Sequence, residues 1–184
     1  MMNSEPEKAR DPLELLRMLE QRAQPYAGRL PDVDDDKDLL RYIAFRVGEV
    51  RLVASMAEIQ EILQYPEPAR VPGAKAWLNG IAHVRGRLVS VVDLCRFLSG
   101  ESGPIRRSTR MLLLERGDLV TGLVVDEVLG LKQLLDDLAP MPPGSLPTWL
   151  LDFVSETMLS DGEEWGVFNL ERLLASPDFQ QASQ

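Results

Sequence analysis

Cysteine and histidine occur once each in this chain of 184 residues, as Cys95 and His83. One cysteine closes no internal disulfide, and one imidazole without clustered thiols gives zinc too few ligands. No apolar run approaches the roughly 18 residues that a membrane helix needs. The opening MMNSEPEKARDP lacks the apolar core of a secretory signal, so a cytoplasmic protein is expected. Aromatic residues make up only 6% and the net charge is −9. That composition disfavours a stacking platform for single-stranded nucleic acid, phosphate-backbone binding and docking on anionic lipid. The phosphate loops GxxxxGK[ST] and GxGxxG are missing, as is the nucleophile elbow GxSxG.

What is present is an ordinary globular composition, 45% hydrophobic and 27% charged, long enough for one domain with a real core. The charge is uneven. Arg85, Arg87, Arg96, Arg106, Arg107 and Arg110 share a segment opposed only by Asp93 and Glu101, whereas Asp32, Asp34, Asp35, Asp36 and Asp38 crowd an earlier one. Opposed patches of this kind steer protein partners; solvated loops are the plainer reading. Residues 1–10 read as disordered. Asp11 to Ala23 reads as a short amphipathic helix, with Asp11 as cap, Pro12 in the first turn and Leu13, Leu16, Met18 and Leu19 on one side. The acidic linker after it is no calcium loop. Lys37 takes the place of the required glycine, and Ile43 stands where the closing glutamate belongs.

From Leu40 the texture changes to short alternating runs. RYIAFRV and VRLVAS predict a hairpin around Gly48-Glu49. MAEIQEILQY predicts one or two helical turns, and AKAWLNG a turn ending at Gly80. IAHVRG and RLVSVVDLCRF predict two strands around Gly86. TRMLLLER and DLVTGLVVDEV form a second hairpin, VLGLKQLL continues extended, and FVSETMLS and EEWGVFNL make a third, before a closing helix in LERLLAS. Many short strands with glycine turns point to a sandwich or barrel. LVSVVDL and LVVDEV are apolar on both faces, as suits barrel strands or strands between two barrels. These two runs also echo each other and hint at two related sub-barrels, although the match is too short to count as a repeat.

Candidates for chemistry are few. Asp93 and Asp126 each follow two valines. A catalytic pair in a cleft, assisted by His83 or Cys95, would make a small-barrel enzyme. Carboxylates that end strands by accepting backbone N–H bonds are the preferred reading. Cys95 after an apolar run reads as a small core residue, and His83 as structural or surface. No metal site or cofactor is implied.

Gly80, Arg85-Gly86 and Val91-Val92-Asp93-Leu94 in GIAHVRGRLVSVVDL resemble the signature of the CheW-like domain, the chemotaxis scaffold. GEVRLVASMAEIQEIL with a later VPG is similar to the family's opening, VTGLVVDEVLGL to its second core strand, and WGVFNLERLL to its end. The details LPDV, VRGRL and DLCRFL resemble the twitching-motility branch. The resemblance covers residues 39–176. It leaves 1–38 as an extension and 177–184 as a disordered tail. It implies a mainly β fold: two small five-stranded SH3-like barrels with a hydrophobic groove between them, and short helices at the ends. It also implies a non-enzymatic link between the helical cytoplasmic tip of a chemoreceptor and the regulatory domain of a CheA-type histidine kinase.

Carried over by position, Glu61 and Arg85 should meet as a salt bridge; a partly buried pair would be costly to break from one side, and a surface pair worth well under about 1 kcal/mol is the rival reading. Ile59, Glu61, Arg85, Val89, Gly122 and Val128 fall on the receptor groove, and Arg70, Asn79 and Gly80 on the kinase side. Core packing is the rival reading for the apolar groove positions Ile59, Val89, Gly122 and Val128, and a turn with positive φ for Gly80. The chain departs from the family pattern in having His83 where asparagine is frequent and Ser90 where proline is. The Gly-Pro segments near 103 and 140–147 also lie outside the shared core.

Overall fold

The computed structural model describes residues 41–117, 119–133, 138–142, 146–160 and 162–181. They belong to one compact unit, Leu39–Gln184. The helix expected at Asp11–Ala23 and the acidic linker lie outside the described residues.

Two antiparallel-rich sheets make up the domain. Strands β1 (Arg41–Val47), β2 (Val50–Ser55), β8 (Glu127–Gln133), β9 (Ala139–Pro140), β10 (Val154–Ser160) and β11 (Glu163–Phe168) form one, in the order β8-β1-β2-β11-β10-β9. Strands β3 (Glu61–Gln64), β4 (Leu78–Val84), β5 (Arg87–Asp93), β6 (Arg110–Arg116) and β7 (Leu119–Val125) form the other, in the order β3-β6-β7-β5-β4. The sixth strand of the first sheet is the two-residue β9 on the edge of β10; without it both sheets have five strands and the same plan. In each, a hairpin (β1–β2 or β6–β7) pairs in parallel with a strand (β11 or β5) that carries its own hairpin partner.

Strands that are apolar on both faces divide their side chains between two interiors, because successive residues point to opposite faces. In β6, Met111 and Leu113 enter the core of the five-stranded sheet, while Leu112 and Leu114 enter a larger cluster shared with the other sheet. In β1, Tyr42 and Ala44 face a third cluster with Met158 and Trp165, while Phe45 and Val47 join the shared one. The shared cluster therefore fills the seam between the sheets.

Several local expectations are corrected. Residues after Ser55 form a single 3-10 turn, Met56–Glu58, and then strand β3 rather than a helix. β4 starts at Leu78 and runs through Gly80 instead of stopping there. The strand expected through Phe97 ends at Asp93, where helix α1 (Leu94–Ser99) begins. The Asp93 carboxylate accepts the Arg96 N–H at 3.0 Å, and the helix ends on Gly100; capping chemistry outweighs the apolar run here. Helix α2 (Leu170–Ala175) repeats the device, with Asn169 accepting the Arg172 N–H at 2.8 Å. The disordered tail expected from 177 holds a further turn, α3 (Pro177–Gln180), which buries Phe179. The echo between LVSVVDL and TGLVVDE does not mark two sub-barrels. β5 and β7 are parallel neighbours in one sheet, with Val91 opposite Gly122.

Candidate functional site

The chain reverses between β4 and β5 through Arg85-Gly86, with Val84 opposite Arg87. Both turn residues have positive φ, 48° at Arg85 and 85° at Gly86. A two-residue hairpin with this geometry matches the natural strand twist, and Asn-Gly is its favoured sequence. Arg85 is the one non-glycine residue with positive φ among the described residues. An L-residue in that region carries about 1–2 kcal/mol of strain.

The Arg85 guanidinium donates to the Glu61 carboxylate at 2.6 Å, across from the end of β3. Of the two readings, the surface pair describes it. Arg85 is 76% exposed and Glu61 28%, so losing one partner leaves no charge buried, and the bond is worth under about 1 kcal/mol. A second pair, absent from the sequence-derived set, stands beside it. Arg87 donates through both guanidinium nitrogens to Glu115 at 2.8 and 2.9 Å. This forked bond holds the Glu115 carboxyl below the usual carboxylate range, and the Gln60 side chain adds to it. The signal was the Arg-Gly-Arg spelling itself, which sends two arginines from the two sides of one turn toward the β3–β6 edge.

The apolar groove positions separate into two kinds. Ile59 and Val128 are partly buried against the shared cluster, one leading into β3 and the other on β8, so they approach the seam from different sheets. Val89 is 1% exposed in the core of the five-stranded sheet. Gly122 is buried on β7, where an added Cβ would meet the Met111 side chain, its Cγ at 2.7 Å. Neither offers a surface to a partner. The correction is that Val89 and Gly122 shape the barrel wall, and the packing reading describes them.

Arg70, Asn79 and Gly80 do come together. Ala69 and Ile81 exchange backbone bonds of 2.8 and 2.9 Å, laying the chain before Arg70 along the free edge of β4. Gly80 lies under that crossing with φ of 143°. A side chain there would run into the Ala69 carbonyl, 2.7 Å from its carbon. Arg70 and Asn79, with Lys75 and Arg96, line a hollow of about 250 Å³. Asn79 stands near the Tyr65 hydroxyl, whose pKa is pushed up chiefly by burial.

The would-be catalytic set is committed to structure. Asp93 caps α1 and accepts the Ser102 hydroxyl. Asp126 accepts the Gly48 N–H at 2.7 Å, with Arg46 beside it at 3.9 Å. Asp93, Cys95 and Asp126 line a space of about 10 Å³, scarcely room for one water. Burial pushes the Cys95 thiol up, away from the reactive thiolate. His83 stands exposed on β4, opposite Leu88.

A family model described as the CheW-like domain matches residues 41–178. Protein PilI of Pseudomonas aeruginosa is 40% identical over 121 residues, covering 66% of this chain and 68% of that protein. FrzA of Myxococcus xanthus is 34% identical over 104 residues, 56% of this chain and 65% of its own length. The crystal structure of the scaffolding protein TtCheW from Thermoanaerobacter tengcongensis superposes with a TM-score of 0.64 at 19% identity, covering 76% of this chain and 94% of that one. At that identity the likeness speaks for the fold.

Proposed function

The chain belongs to the CheW-like family, and from that premise we propose that it is a non-enzymatic adaptor coupling methyl-accepting chemoreceptors to a CheA-type histidine kinase. The likeness to PilI favours the type IV pilus pathway that drives twitching motility. No helix of the described residues is long and apolar enough to cross a membrane. The adaptor would work on the cytoplasmic face, recruited by the receptor's helical tip.

Arg85 carries the receptor half of this reading. A side chain kept in a strained turn, mostly in solvent and in a bond of little worth to stability, is explained by what it meets outside the chain. Ile59 and Val128 at the seam supply apolar surface of the kind an amphipathic helix uses. Arg85→Asn should leave stability within about 1 kcal/mol of wild type, because relieved strain offsets the lost bond. Binding to a receptor-tip peptide should weaken roughly tenfold, about 1.4 kcal/mol. A clear loss of stability with unchanged binding would make Arg85 a structural residue instead.

The kinase half rests on Arg70 and Asn79 at the edge of β4. The test is a titration of the protein against the regulatory domain of the chemotaxis-type kinase from the same organism. Saturable binding is expected, with Arg70→Glu weaker by roughly tenfold at low salt and its melting unchanged. No binding to any such domain would sink the adaptor reading on this face.

A further inference from the structure

A hollow of about 390 Å³ adjoins the arginine-lined one at Lys75, where residues 75–77, the end of α1, the 149–153 turn and α3 converge. Its walls are unusual for a chain so poor in aromatics, because Trp77, Phe97, Trp149 and Phe153 all line it. Trp77, Phe97 and Phe153 belong to a ring network that continues inward. Trp77 stacks on Phe179 at 5.7 Å and meets the edge of Phe97 at 5.3 Å, and Phe97 leans on Phe153 at 6.2 Å. Phe179 is buried, so the walls are braced from behind rather than hung on a loop.

The rim is charged. Asp152 and Asp178 border the hollow, and neither has an ion-pair or hydrogen-bond partner among the described residues. Lys75 stands on the side shared with the arginine-lined hollow, which leaves carboxylates in a two-to-one majority. Aromatic walls with carboxylates at the mouth are complementary to a flat, weakly hydrated cation. Guanidinium meets both demands, since it lies against indole and phenyl rings and forks onto carboxylate; ammonium, compact and strongly hydrated, meets them poorly.

We propose that this hollow accepts an arginine side chain presented by a segment of a partner protein, a contact separate from the Glu61–Arg85 surface and bordering the β4 edge at Lys75. The probe is the blocked tripeptide acetyl-Gly-Arg-Gly-amide, titrated into the full chain while the three indole N–H signals are followed by NMR. Its citrulline counterpart has nearly the same shape without the charge. Trp77 and Trp149 should shift saturably. Trp165 is buried in the other sheet between Arg51 and Lys132 and should stay still. The citrulline peptide and the Asp152→Asn/Asp178→Asn variant, whose substitutions are at exposed positions, should each bind at least about tenfold more weakly. No shift of either indole, an equal response to citrulline, or an undiminished response in the double variant would overturn the assignment.

Discussion

Gly80→Ala is expected to lower the stability of the domain by about 3 kcal/mol, although the substitution adds a single methyl group. The backbone at Gly80 has φ of 143°, a region where a side chain costs about 1–3 kcal/mol. The added Cβ also meets the Ala69 carbonyl carbon at 2.7 Å and the Arg70 Cα at 3.2 Å. These are backbone atoms, so they yield only if the two hydrogen bonds between Ala69 and Ile81 open, and overpacking of this sort costs about 1–3 kcal/mol more. For a domain of this size the midpoint should fall by roughly 6–12 °C in a thermal melt. A shift under about 2 °C would mean that the strand-edge crossing gives way freely. The consequence reaches beyond stability. Aspartate at the same position would lose partner binding by detaching Arg70 from β4, whether or not Gly80 itself touches a partner. Arg70→Glu tests the surface without moving the backbone.

The strands were legible because their signal is local. Short strand-like runs bounded by glycines, Gly48 between β1 and β2 and Gly162 between β10 and β11, need no knowledge of the rest of the chain. The run from Leu88 to Phe97 reads as one strand for a physical reason. Strands apolar on both faces lose their alternation, so nothing in hydrophobicity marks where β5 stops and α1 starts. The mark is instead a cap: Asp93, then Leu94 and Arg96, ending at Gly100. The same spelling, Asn169, Leu170 and Arg172, opens α2 after β11. That recurrence, and not the shared Val-Val-Asp, is the internal repeat. It places a capped turn after the strand that pairs in parallel with a hairpin in each sheet, and both turns drop a leucine, Leu94 and Leu170, into the shared cluster.

Site legibility follows the same division. The Glu61–Arg85 pair came from resemblance, since no spacing rule brings together residues on β3 and on the β4–β5 turn. Their exposure was beyond the sequence, because it depends on how far the turn projects past the sheet edge. The resemblance places Val89 and Gly122 on a surface, whereas alternation along β5 and β7 sends both inward. The aromatic hollow was invisible for a simpler reason. Its four rings come from three segments far apart in sequence, Trp77, Phe97 and the pair Trp149 and Phe153.

Phe168→Ala carries the other large expected effect, a loss of about 3–5 kcal/mol. The ring is 1% exposed. It meets Phe45 edge-on at 6.2 Å and Phe153 at 6.0 Å, and such pairs add about 0.5–1.5 kcal/mol beyond burial. Its position matters more than its area. The cluster around it takes Phe45 and Leu52 from the six-stranded sheet and Leu112 and Leu123 from the five-stranded one. Neither sheet closes that core alone, so the cavity weakens both at once. A urea or thermal transition should therefore remain single and move as a whole, by roughly 6–20 °C in the midpoint. Leu159→Ala, at a position 59% exposed on the same sheet, should move it little. A biphasic melt, with one step left at the wild-type midpoint, would show that the sheets unfold independently. If the proposed receptor seam and the proposed kinase edge on β4 are correct, a single transition means that one core holds both surfaces.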